Sequence, residues 1–165
     1  MQTKPTSNRM FSHLVLYDMH TKFLYAALDS IKDEDAHNRL KTKANHIAWL
    51  AGSIVQQRFE VAQLFGATQI SASDEFFKNN KGIQDNITYP PLKQFLQDWE
   101  SITPVLREIF MNLPDTKLDE IYEMMPQMKM PYFDFISFVI YREASIIGQL
   151  ALWRRFLGYE AMKYM

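Results

Sequence analysis

The sequence predicts an all-α protein, an antiparallel four-helix bundle with a long crossover between its second and third helices. Apolar residues recur at three- and four-residue spacing over four long stretches, as in amphipathic helices. Most of the five glycines and seven prolines separate these stretches. The connection 67–89 is rich in Ser, Asn, Asp and Gly and is too long for a turn between neighbouring helices. Because no alternating apolar pattern stands out, we expect essentially no β-sheet.

The first two helices are predicted from apolar spacing and from their ends. The first helix is expected at about 10–31. The second is expected at about 36–65, with Asp35 as its N-cap and Gly66 just beyond its C-terminus. In the crossover that follows, Phe76 and Phe77 are expected to fill a hydrophobic site.

The last two long helices follow the same argument. The third is expected at about 89–113, with Pro90 and Pro91 in its first turn and Pro104 predicting a kink or a break. A short helical piece is expected at 118–125. The fourth long helix is expected at about 132–157. The nearby methionines are expected to form either an adaptable contact surface or a lid over one end of the bundle: Met124, Met125, Met128 and Met130.

Composition indicates one packed domain, 1–165, with a flexible segment at 1–9. Apolar residues make up 47% of the 165 and aromatic residues 14%. The net charge of −1 offers no basic excess for phosphates, so we expect no nucleic-acid partner. The closest approach to a membrane span is the run from Tyr132 to Ile140, which stops before Arg142, so we expect no membrane span. The absence of cysteine excludes thiolate chemistry and fits a cytoplasmic protein.

Three stretches of the chain resemble the DinB-like family of four-helix bundles. They are NHIAWLAGSIVQQRFEVAQLFG at 45–66, YPPLKQFLQDW at 89–99 and REASIIGQLALWRRFLG at 142–158. The family's second helix commonly reads Asn-His-Ile-Ala-Trp-x-x-Gly-His, and its last helix His-x-x-x-His-x-Gly-Gln. The resemblance implies a homodimer and, in many relatives, a metal-dependent hydrolase or thiol-transferase with three histidine ligands.

This chain departs from the family at the metal ligands. The two histidine positions of the last helix correspond to Arg142 and Ile146, and neither side chain binds a cation. The second-helix position corresponds to Ser53, or to His46 under a different alignment. A catalytic metal site needs about three protein ligands. We therefore expect a degenerate site with no metal, no other cofactor and no catalytic residue.

Arg142 is the central candidate residue. If the family register holds, it points into the bundle, where a guanidinium needs a partner. One reading is that it binds an anionic ligand. A second is an internal ion pair with a carboxylate such as Glu60, Asp18 or Glu143, and a third is that it reaches solvent. The candidate pocket residues are His46, Trp49, Ser53, Tyr141, Arg142, Ser145, Ile146 and Gln149.

The sequence therefore favours a non-catalytic protein that binds a small or anionic ligand, or a protein partner, at the former metal pocket. The alternative is a metal-dependent hydrolase or thiol-transferase, against which the ligand count weighs. A third reading is an interaction module that acts through dimerisation.

Overall fold

A computed structural model describes residues 4–164. This part of the chain is mostly helical, as predicted, with one small two-stranded sheet. The four long helices are α1 (Phe11–Leu28), α3 (Ile47–Leu64), α5 (Leu92–Asn112) and α7 (Tyr132–Phe156). The short helices are α2 (Asp33–Ala36), α4 (Asp74–Phe77) and α6 (Asp115–Leu118), and the strands are β1 (Ile121–Met125) and β2 (Met128–Pro131).

The long helices enclose a single core in which each contacts two others. Helix α3 packs against α5 and α7, and α1 packs against the same two helices. Nearly every residue of α3 from Ile47 to Phe59 is buried, because α4 covers the side that α5 and α7 leave open. Helix α7 alone, among the described helices, is long and apolar enough to cross a membrane. In that stretch 44% of the residues are buried in the protein, and core helices meet the same criterion.

The second long helix begins eleven residues later than predicted. The short helix α2 precedes this point, and residues 37–46 form a loop in which Leu40 and Lys41 adopt positive φ angles. The side chain of Asn38 accepts a hydrogen bond from Leu40 N at 2.8 Å, a local bond that competes with helix formation. His46 is the N-cap of α3, and its Nδ1 accepts from Trp49 N at 3.1 Å. The predicted Asp35 cap is therefore wrong.

The crossover between α3 and α5 is anchored as predicted. Phe77 at the end of α4 is buried, and Phe76 packs against the core beside it. The Phe77 ring lies directly over Gly52, where a Cβ atom would approach Phe77 Cζ to 2.1 Å. Because Gly52 has no side chain, Phe77 of the crossover can pack against α3 at this position.

The prediction of no sheet is wrong at 121–131, and so is the short helix at 118–125. Helix α6 ends at Leu118, and β1 and β2 form an antiparallel hairpin in which Tyr122 pairs with Met130. Burial alternates along β1, with Tyr122 and Met124 facing the protein. Tyr122 stacks on Tyr132 with ring centroids 5.3 Å apart, which fixes the hairpin against the start of α7.

Two other expectations have clear outcomes. Helix α5 continues through Pro104 without a break. The expected flexible segment includes residues 1–3, which lie outside the described residues. Within 4–9, Thr6 N donates to Met111 O at 2.8 Å and Ser7 is buried.

Candidate functional site

A cavity of about 410 Å³ opens between α3, α7, the hairpin and the crossover. Its size lies within the range of small-molecule sites, about 300–1,000 Å³. Apolar side chains from α3 and α7 form one part of its walls: Val61, Leu64, Phe135, Phe138 and Val139. The hairpin contributes Tyr122, Met124 and Met125, so two of the four methionines cover this cavity.

The polar side of the cavity is built around Arg142. Its Nη1 donates to Gln57 Oε1 at 2.8 Å and, more weakly, to Ser53 O at 3.4 Å. Its Nη2 donates to Ser53 Oγ at 3.3 Å. Ser53 and Gln57 lie one turn apart on α3, so both face α7. Two neutral side chains therefore fix the guanidinium at the cavity wall.

The charge of Arg142 is not matched by a close carboxylate. Among residues 4–164, no Asp or Glu forms an ion pair with it within 4.0 Å. Burial lowers the pKa of Arg142, and the more distant Glu60 and Glu143 offset only part of this effect. The internal ion pair considered for Arg142 is therefore absent from the described part of the chain.

Glu143, one residue further on α7, is engaged elsewhere. Arg58 and Glu143 are both fully buried, with Nε–Oε1 at 2.7 Å and Nη2–Oε2 at 2.9 Å. The Arg58 guanidinium lies between the rings of Tyr17 and Trp99, at 3.8 and 3.3 Å from their centroids. Burial disfavours the charged carboxylate, but the attraction and hydrogen bonds of Arg58 outweigh it and lower the pKa of Glu143.

Asp18, the third carboxylate considered for Arg142, pairs with Arg107 at 2.8 and 2.9 Å on the partly exposed side of α1 and α5. Glu60 borders the cavity but bonds to Gln56, whose Nε2 lies 3.1 Å from Glu60 Oε1 and 2.8 Å from Asp74 Oδ1. Taken over all its atoms, Glu60 is exposed. The surrounding protein nevertheless desolvates its carboxylate and raises the pKa of Glu60.

The structure divides the sequence-predicted pocket residues into three groups. Trp49, Ser53 and Arg142 border the cavity together. Ile146 is buried in the core, and His46 lies at the far end of α3. The remaining three face solvent on α7, with Tyr141 69% exposed: Tyr141, Ser145 and Gln149.

His46 belongs to a different environment. Its ring is 5.3 Å from those of His37 and Tyr89, and it borders a second cavity of about 240 Å³ with Arg39. Burial, together with the neighbouring His37 and Arg39, lowers the pKa of His46 to about 4. His46 is therefore separate from Arg142, whereas Ser53 contacts it.

Sequence reasoning missed several residues of the cavity. Gln56 and Gln57 were not considered, and Glu60 was considered only as a partner for Arg142; all three are adjacent or one turn apart on the second predicted helix, a pattern visible in the sequence. Tyr122 was missed, and Met124 was considered only as part of a contact surface or a lid, because segment 118–125 was predicted as a helix. Alternation of Tyr122 and Met124 with the exposed Glu123 was the available signal.

The residues around Arg142 do not fit a divalent cation. A fixed guanidinium repels a cation, and Ile146 offers no lone pair. Among residues 4–164, no three His, Asp or Glu side chains are grouped as metal ligands. What the site offers is N–H donors at one wall, a carboxylate nearby and an apolar body, which suits a small amphipathic molecule.

No protein-family model, no curated protein and no solved structure matches this chain.

Proposed function

We propose that this protein binds a small amphipathic carboxylate in the cavity that Arg142 borders. The observation that carries the proposal is a guanidinium held at a cavity wall by neutral partners, with no carboxylate within ion-pair distance among residues 4–164. An uncompensated, partly buried charge is costly, and an anionic ligand removes that cost. The apolar walls provide the energy for a hydrophobic body.

The hydrogen bonds of Arg142 favour a planar anion. A guanidinium has five N–H donors, and its bonds to Ser53 and Gln57 start from Nη1 and Nη2. Within residues 4–164, the Nε–H and one Nη2–H have no acceptor. Nε and Nη2 share one edge of the guanidinium, and this edge matches the two oxygens of a carboxylate. A cavity of this size favours a small molecule over a protein partner.

The proposal includes a relationship to the DinB-like four-helix bundles. Positions 53 and 142, which the resemblance equates with metal-ligand positions, are in contact at 3.3 Å, and this supports the register. In this chain the Arg142 charge replaces the metal charge at the same place. We infer a non-catalytic binding protein, since neither Arg142 nor Ile146 ligates the metal on which the family's chemistry depends. We also infer a cytoplasmic location, with which the absence of cysteine agrees.

Calorimetric titration with 3-phenylpropionate tests the proposal. The wild-type protein should bind this carboxylate, and Arg142→Met should weaken binding at least about tenfold, because a charge-assisted hydrogen bond contributes about 1.5–3 kcal/mol. Arg155→Met is the matched control, since Arg155 is exposed near the end of the same helix and outside the cavity. Equal binding by all three proteins, or binding by none, contradicts the proposal.

A further inference from the structure

Arg142 and Glu60 present opposite charges to the same cavity without pairing with each other. Ser53 and Gln57 hold Arg142, and Glu60 lies three residues beyond Gln57 on the same helix. Three residues advance a helix by about 4.5 Å, so the positive and negative groups follow each other along one wall. A small zwitterion could therefore place its carboxylate against Arg142 and its ammonium against Glu60.

Two neighbouring glutamines keep these charges apart. Gln57 accepts from Arg142, while Gln56 donates to both Glu60 and Asp74. Each charged group is thus fixed by its own amide and not by the opposite charge. Burial opposes the charged form of both groups, lowering the pKa of Arg142 and raising that of Glu60. A ligand with both charges would compensate both groups at once.

Gln56 adds a second acceptor on the acidic side. The residue is 4% exposed and borders the cavity, and its Oε1 is buried with no hydrogen-bond partner among the described residues. A buried carbonyl oxygen without a partner is costly and uncommon in folded proteins. An ammonium has three N–H donors, enough for Glu60 and for this oxygen.

We propose that the ligand is an amino acid with a large apolar side chain. Its carboxylate pairs with Arg142, its ammonium pairs with Glu60 and Gln56, and its side chain contacts Val61, Phe135 and the other apolar walls. This inference rests on the proposed function and adds the ammonium to it. Glu60 and Gln56 are then the residues that select amino acids over simple carboxylates.

A pair of matched probes separates the two proposals. L-Phenylalanine and 3-phenylpropionate share the ring and the carboxylate and differ in the amino group. Calorimetry on the wild-type chain should show phenylalanine binding at least about tenfold more tightly, as expected for a hydrogen bond to a charged group. Glu60→Gln should abolish this preference, because it removes the charged partner of the ammonium. Glu100→Gln, an exposed residue of α5 outside the cavity, should retain the preference.

Each outcome decides one claim. If 3-phenylpropionate binds as tightly as phenylalanine to the wild-type protein, the ammonium site is refuted and carboxylate binding stands. If Glu60→Gln keeps the preference for phenylalanine, Glu60 does not read the ammonium and the inference also fails. If neither probe binds, the proposed function is refuted, and the inference that rests on it is refuted as well.

Discussion

Replacing Glu143 by glutamine should destabilise the fold more than any surface charge change. The variant keeps the shape of the side chain and removes its charge, leaving the fully buried Arg58 without a counter-ion. His20 Nδ1, 3.3 Å from Glu143 Oε2, loses the same partner. Arg58 retains Thr21 and Thr103 as hydrogen-bond acceptors, at 3.0 and 2.7 Å, and these do not neutralise it.

The magnitude follows from the burial of the pair. Removing one partner of a buried ion pair costs about 3–5 kcal/mol, because the remaining charge stays desolvated. A domain of this size has a total stability of about 5–15 kcal/mol, so Glu143→Gln removes a large part of it. In a chain of 165 residues this corresponds to a fall in Tm of about 6–20 °C.

The Asp18–Arg107 pair provides a matched control. It has the same bidentate geometry, at 2.8 and 2.9 Å, but both side chains are more than 40% exposed. Asp18→Asn should therefore cost no more than about 1 kcal/mol. The double variant Arg58→Met with Glu143→Leu should recover most of the loss, since apolar residues of similar volume replace buried ion pairs without large cost.

Urea unfolding at pH 7 measures all these variants. A pH series adds a second readout, because the folded pKa of Glu143 is lowered below the ordinary value of 4.5. The stability that its ionisation contributes is fully present above pH 4.5 and is lost as the pH falls through the lowered pKa. Wild-type stability should therefore fall more steeply in acid than that of Glu143→Gln. A loss for Glu143→Gln no greater than for Asp18→Asn would refute this reasoning.

Three further predictions concern metal content, packing and assembly. The purified protein should contain no stoichiometric metal, because Arg142 and Ile146 stand where the proposed relationship to DinB-like bundles would place histidine ligands; about one metal per chain by elemental analysis would contradict this. Gly52→Ala should lower the free energy of unfolding in urea by about 1–3 kcal/mol, since the added methyl group meets Phe77. Gly148→Ala has open space around it and should be neutral or stabilising. Similar effects of the two variants would refute the close contact at Gly52. The protein should be a homodimer by light scattering, because α1 and α7 expose large apolar side chains such as Phe156; a mass of 19.5 kDa would contradict it.

The sequence predicted the long helices because their apolar spacing persists over many turns. Phe77 was predicted to be buried because it belongs to an apolar pair within an otherwise polar connection. It did not predict the hairpin, because β1 is only five residues long and apolar and polar residues alternate only weakly along it. The start of α3 was misplaced because side-chain bonds such as that of Asn38 decide where residues 37–46 turn. The spacing of apolar residues does not report such side-chain bonds.

The site was predicted in part for a comparable reason. Ser53 and Arg142 were identified through the resemblance to the DinB-like bundles, and their contact depends on the packing of α3 against α7. The identity of each carboxylate's partner did not follow from the sequence, since Glu143 lies next to Arg142 in the chain and pairs with Arg58 across the core. Adjacent residues on a helix point about 100° apart, so proximity in sequence did not predict pairing.

The most direct test of the account is a crystal structure of the protein with 3-phenylpropionate bound. The account predicts both carboxylate oxygens within about 3 Å of Arg142 Nε and Nη2. The phenyl ring should lie against Phe135 and Val139 in the cavity. A ligand bound elsewhere, or an Arg142 paired directly with Glu60 in the ligand-bound protein, would contradict the account.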